Sequence, residues 1–77
     1  MEWKEVHELA EQMAQEQRTH LLKLGRKIVP QLTPEDVLQP NDYPELEENP
    51  VFRYEEGLLA GIQSLQIALK SLEHSHR

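Results

Sequence analysis

The sequence contains no cysteine, so disulfide bonds and thiolate-bound metals are excluded. A chain of 77 residues buries little apolar surface, and folds of this size usually gain stability from disulfides, a metal or self-association. Self-association is the common route that this chain retains. We therefore expect one small domain that works as an oligomer.

Glycine is also scarce, and the three that occur, Gly25, Gly57 and Gly61, form no glycine-rich phosphate loop. No serine, threonine or lysine stands in a pattern that pairs a nucleophile with a base. His7 and His20 lack the Glu-x-x-His spacing that di-iron helical bundles use. The sequence therefore predicts no enzyme, no cofactor and no metal site.

The sequence also has no excess of basic residues, and its net charge is -6. Proteins that bind nucleic acid neutralise phosphates with lysine and arginine, so nucleic acid is not an expected partner. The N-terminal stretch lacks the apolar core of a signal peptide, and no apolar run is long enough to span a membrane. We expect a soluble, cytoplasmic protein.

Helical periodicity dominates both ends of the chain, and it predicts an all-α fold. The first helix covers about residues 2–29 and ends before Pro30, because proline disfavours the α conformation in the residue before it. Gly25 is expected to loosen that end. The last helix covers about residues 50–73, and the tail, 74–77, is expected to fray. These lengths predict a long two-helix hairpin with a crossover between its helices.

The connection, residues 30–49, is rich in proline and in acidic residues. Thr33 as an N-cap and Pro34 at the first helical position predict a short helical turn at about residues 34–38. Asn49 is expected to cap the last helix, so the crossover is partly ordered. The apolar side chains that are expected to anchor it over the helices are Leu32, Val37, Leu38, Tyr43 and Leu46.

Two stripes of side chains follow the last helix with the 4, 3, 4, 3 spacing of a helix–helix seam. One stripe is made of large apolar residues, and the other is made of small residues that let two helix backbones approach closely. Together they cover about twice the apolar arc that a single neighbouring helix needs. The stripes are Leu58, Ile62, Leu65, Leu69 and Leu72, and Gly57, Gly61, Ser64, Ala68 and Ser71.

Because the chain offers one other long helix, we expect a homodimer, a four-helix bundle with the last helix toward its centre. The alternative is that Gly57 and Gly61 tolerate a crowded crossing within the chain. Val51 and Tyr54 are expected to continue the apolar face, with Phe52 off to the side. The predicted oligomer interface comprises Gly57, Leu58, Gly61, Ile62, Ser64, Leu65, Ala68, Leu69 and Leu72.

Two polar residues, Gln17 and His20, interrupt the apolar side of the first helix. Gln17 is expected to fix the register of the helices, as buried asparagine does in coiled coils, or else to lie where the bundle is open to water. His20 is more typical of a packed histidine at the edge of a core than of a ligand. A pocket near these two residues that binds a small molecule or a metal is the alternative function.

The acidic connection provides a candidate surface for a partner. It combines acidic side chains with two apolar ones, a mixture that suits a basic, partly apolar protein surface. The alternative is that Tyr43 and Leu46 pack on this protein's own helices and the acidic residues provide solubility. The sequence thus predicts a small, non-enzymatic, homo-oligomeric interaction module. Its candidate partner-binding residues are Asp42, Tyr43, Glu45, Leu46, Glu47 and Glu48.

Overall fold

The described part of the chain forms four helices. The structure is a computed structural model that describes residues 1–38 and 42–76. The described residues contain no strand, so the predicted all-α fold is confirmed. In chain order the helices are α1 (Trp3–Ile28), α2 (Pro34–Val37), α3 (Pro44–Glu47) and α4 (Pro50–Ser75).

Helices α1 and α4 form the predicted long helix pair. Each has 26 residues and spans about 39 Å, and the molecule measures 45 × 18 × 16 Å. His7 Nε2 lies 2.8 Å from Glu73 Oε1. Further along the pair, Gln17 Nε2 donates a hydrogen bond to the Glu55 backbone carbonyl. The early part of α1 therefore contacts the late part of α4, and the two helices are antiparallel.

Side-chain caps begin two of the helices. Thr33 Oγ1 accepts a hydrogen bond from the Asp36 N–H, and Asp36 Oδ2 accepts one from the Thr33 N–H, at 3.3 and 3.0 Å. The bond from the Thr33 backbone holds the pKa of Asp36 below its usual value. Asn49 Oδ1 accepts from the Phe52 N–H at 2.9 Å and starts α4. Helix α3 was not expected from the sequence, because Tyr43 precedes it without a side-chain cap.

The hydrophobic core lies in the half of the hairpin that the connection closes. We call residues 14–59 the loop half, and residues 1–13 and 60–76 the open half. The connection residues pack into the loop half as predicted, except that Leu38 is 71% exposed. The buried core consists of Ala14, Leu21, Val29, Leu32, Val37, Leu46, Phe52 and Leu59.

A close packing of side chains against the backbone at Gly25 sets the geometry of the loop half. A Cβ atom at Gly25 would lie 3.3 Å from Phe52 Cε2 and would overlap with Leu32 Cδ2. Gly25 is buried and α1 continues through it to Ile28, so Gly25 provides room for packing within a continuous helix. Phe52 is fully buried here, while Val51 and Tyr54 are exposed. The sequence pattern predicted the reverse, with Val51 and Tyr54 on the apolar face and Phe52 off to the side.

We predict that Gly25→Ala lowers the free energy of unfolding by about 1–3 kcal/mol, because the added methyl group overpacks the core against Leu32 and Phe52. Urea unfolding measures this change, at a protein concentration low enough that self-association does not contribute. The matched control is Gly57→Ala, whose Cβ meets no atom within 4 Å and which should gain about 1 kcal/mol from helix propensity. An unchanged or raised stability of Gly25→Ala would contradict the packing.

Candidate oligomer interface

The position of Phe52 determines which side of α4 faces α1. Residues seven positions apart lie at nearly the same angle on a helix, so Leu59, Gln66 and Glu73 follow Phe52 toward α1. Leu59 is buried, Gln66 Nε2 donates to Glu11 Oε2 at 2.9 Å, and Glu73 contacts α1 as described above. The side of α4 toward α1 is therefore apolar in the loop half and polar in the open half.

Gln17 forms the central polar contact between the long helices. Its Nε2 atom donates to the backbone carbonyl of Glu55 at 2.9 Å and to Glu55 Oε2 at 2.8 Å. His20 Nε2 lies 3.5 Å from the other carboxylate oxygen of Glu55. Because Gln17 is half-buried and contacts both the backbone and the side chain of Glu55, it links α1 to α4 at one defined level.

Further polar contacts join the helices in the open half. Glu11 of α1 accepts the hydrogen bond from Gln66 of α4, and its other carboxylate oxygen lies 3.2 Å from Arg18 Nη1 within α1. The hydrogen bond from Gln66 and the bond from Arg18 hold the pKa of Glu11 below its ordinary value. His7 and Glu73 are both mostly shielded from solvent. Three polar side chains of α4, those of Glu55, Gln66 and Glu73, thus contact α1.

The opposite side of α4 is apolar and exposed. Leu58, Leu65 and Leu72 are 43, 54 and 47% exposed, whereas the side chains of Glu55 and Glu73 are only 19 and 24% exposed. A surface helix of a monomeric protein normally has the reverse arrangement. We call this side the outer face of α4, and it consists of Gly57, Leu58, Gly61, Ser64, Leu65, Ala68, Ser71 and Leu72.

The middle of α4 also lacks charge. No acidic or basic residue occurs from Gly57 to Leu69, and the two glutamines in this stretch, Gln63 and Gln66, are half-buried. A Cβ atom added at Gly57 or Gly61 would meet no atom within 4 Å. The alternative of a crowded crossing within the chain at these glycines is therefore wrong.

Helix α1 extends this apolar surface in the open half. Leu9 and Met13 are 55 and 46% exposed, and among the described residues of the open half only Ala10 is buried. Helical periodicity places Leu9 and Met13 on the apolar side of α1, but it does not assign them to an interface. The sequence signal for such an exposed surface is that the apolar stripe of α1 extends beyond the part of the helix that the core covers. A groove of about 180 Å³ runs between the helices and is lined by Val6, Leu9, Ala10, Met13, Ile62, Leu65 and Leu69.

The structure brings the nine predicted interface residues onto one side of α4. Ile62 and Leu69 lie at the border with α1, where they are half-buried and line the groove. The other seven are exposed on the outer face. The predicted set therefore forms one continuous apolar surface with the exposed side chains of α1.

The candidate partner-binding residues of the connection divide into two groups. Leu46 is fully buried, and Tyr43 is half-buried against the core, where partial burial raises the pKa of its phenol. These two side chains therefore pack on the protein's own helices. The acidic residues Asp42, Glu45, Glu47 and Glu48 are exposed.

A second concave surface lies where α2 approaches the helix pair. It encloses about 450 Å³, with Leu21, Leu22 and Leu59 among its apolar walls and Arg18 and Glu56 among its polar ones. Gln17 and His20, near which a pocket was hypothesised, do not line it. Their side chains contact Glu55 instead.

Two further findings concern metals and membranes. Within residues 1–38 and 42–76, no three histidine or acidic side chains converge as a metal site would require. None of the helices in the described part of the chain combines the length and the hydropathy of a membrane span.

Comparisons of this chain with protein-family models, with curated proteins and with solved structures find no match.

We predict that Gln17→Ala lowers the free energy of unfolding by about 1–2 kcal/mol, because it removes one hydrogen bond to the Glu55 backbone carbonyl and one to the shielded Glu55 carboxylate. The matched control is His20→Ala. That side chain is 55% exposed and lies 3.5 Å from the same carboxylate, so its loss should change stability by less than about 0.5 kcal/mol. Chemical unfolding of both variants makes the comparison, and equal effects would contradict the role given to Gln17.

Proposed function

We propose that this protein is a small, non-enzymatic, homo-oligomeric helical module that acts through protein–protein contacts. In the proposed assembly two copies form a four-helix bundle in which α4 lies toward the centre. The observation that carries the proposal is the outer face of α4, where leucines are exposed while glutamates are shielded against α1. Such an arrangement leaves apolar surface in water unless a second protein covers it.

A second copy of the chain fits this face for three reasons. The face carries no charge from Gly57 to Leu69, so two identical faces do not repel each other. It places large residues beside small ones, which lets the side chains of one copy fill the space above the glycines of the other. The long side of the molecule, 45 by 18 Å, provides about 800 Å², which is the area each partner contributes to a standard interface.

The dimer would present its acidic connections to other proteins. Asp42, Glu45, Glu47 and Glu48 are exposed, and their charge favours encounter with a basic protein surface through electrostatic steering. Since Tyr43 and Leu46 are occupied in the core, this contact would be made by charge and shape, without those apolar anchors.

We predict that Leu65→Lys weakens self-association by at least about 30-fold, because an unpaired ammonium group buried in an apolar interface costs more than about 2 kcal/mol. The matched control is Ile67→Lys. Ile67 is an exposed apolar residue of the same helix, but it lies about 200° around the helix from Leu65. Light scattering on a sizing column, over a dilution series, gives the mass of each protein.

The expected result is a native dimer, a dimeric Ile67→Lys variant and a monomeric Leu65→Lys variant. Gly61→Leu tests the small residues in the same way, because a Cβ added there meets no described atom of the same copy within 4 Å. It should also yield a monomer or a much weaker dimer. A native protein that remains monomeric at every concentration would overturn the proposal.

A small-molecule site is the second candidate function, and the cavity of about 450 Å³ beside α2 favours it. Cavities of about 300–1,000 Å³ are typical of ligand sites. We predict that Ala60→Trp fills this cavity and abolishes any rise in melting temperature that a fragment produces with the native protein. The control is Ile67→Trp, at an exposed position of α4 that neither lines this cavity nor belongs to the outer face, and it should leave that rise intact. A rise that persists in Ala60→Trp would place the ligand elsewhere.

A further inference from the structure

The exposed leucines of α4 are spaced symmetrically. Leu58, Leu65 and Leu72 are seven residues apart, so Leu58 and Leu72 lie about 10.5 Å on either side of Leu65 along the helix. A twofold axis perpendicular to α4 at Leu65 would exchange Leu58 with Leu72 of the second copy. The same axis would set Leu65 against its own counterpart.

This axis would also bring large residues opposite small ones. Positions at equal distances from Leu65 become opposite each other, which pairs Leu69 with Gly61 and Ile62 with Ala68. A twofold axis parallel to α4 would instead place residues of the two copies at equal heights, glycine level with glycine and leucine level with leucine. Close packing favours the arrangement in which side chains of one copy fill gaps in the other.

Charge also favours the antiparallel arrangement over the parallel one. The loop half, residues 14–59, holds nine acidic and five basic side chains, a net charge of -4, and the rest of the chain holds five acidic and three basic, a net charge of -2. A parallel arrangement would place the two loop halves side by side. The distance between their charges would then be close to the screening length of about 8 Å, so salt would only partly screen their repulsion. An antiparallel arrangement moves the acidic connections apart by at least about the molecule's 45 Å length.

The open half needs a neighbour that residues 1–38 and 42–76 do not provide. Only Ala10 is buried among its described residues, and Met13 lies in the groove beside Leu65. In the antiparallel arrangement the two open halves overlap at this groove, so each copy supplies apolar cover to the half of the other that lacks a core.

We propose that two copies associate in an antiparallel manner, about a twofold axis that passes near Leu65 and Met13, with their acidic connections at opposite ends of the dimer. This rests on the proposed self-association and specifies its geometry. The dimer then has two separated acidic ends, and it can engage one basic partner at each end.

Distances between spin labels test the geometry. Because the native chain has no cysteine, Gln31→Cys provides one label site per copy, at an exposed position in the connection where no charge is lost. Gln31 lies 18 residues beyond Met13, so the antiparallel dimer should give a label separation of about 50 Å. A parallel dimer should give about 25 Å or less, since packed helices are about 8–10 Å apart.

Gln12→Cys is the control for this measurement. Gln12 is exposed and lies next to the proposed axis, so its labels should be within about 25 Å of each other in either dimer. Light scattering also gives the solution mass of the labelled proteins. A dimer with a short Gln31 distance would overturn the antiparallel geometry and leave self-association intact, whereas a monomeric mass for the labelled and native proteins would overturn both.

Discussion

The packing of Phe52 against Gly25 is the constraint on which the rest of the structure depends. It lets α4 approach α1 closely at one point and fixes the rotation of α4 about its own axis. With that rotation fixed, Gln66 and Glu73 face α1 and contact its polar side chains. The leucines at the intervening positions then face away from α1. One glycine in α1 thus determines which surface of α4 the molecule presents.

The two halves of the hairpin are stabilised in different ways. The loop half has its own apolar core, closed by Leu32, Val37 and Leu46 of the connection. The open half is held by polar contacts of His7 with Glu73 and of Gln66 with Glu11, and such contacts add little net free energy in the presence of water. Its apolar surface is largely exposed. Association of two open halves is therefore the natural source of the stability that one copy lacks.

Much of the fold follows from patterns that the sequence shows directly. The all-α class and the long helix pair follow from periodicity, and the starts of α2 and α4 follow from Thr33 and Asn49, whose side chains cap those helices. The rotation of α4 did not follow, because Phe52 lies off the leucine stripe and its burial depends on Gly25, which is distant in sequence. Helix α3 was missed for a local reason, since no capping side chain precedes Pro44. The groove residues Leu9 and Met13 were recognisable as apolar, but only the structure shows that they remain about half exposed against the described part of the chain.

Contacts between copies at the outer face of α4 are the central claim, and isotope-filtered nuclear Overhauser spectroscopy tests it most directly. The sample is a mixture of labelled and unlabelled native chains, in which only contacts between copies give filtered signals. We expect signals from the methyl groups of Leu58, Leu65 and Leu72, and none from Ile67, which lies on another side of the helix. Filtered signals from Ile67 without any from the three leucines would contradict the proposed interface, and so would a complete absence of signals.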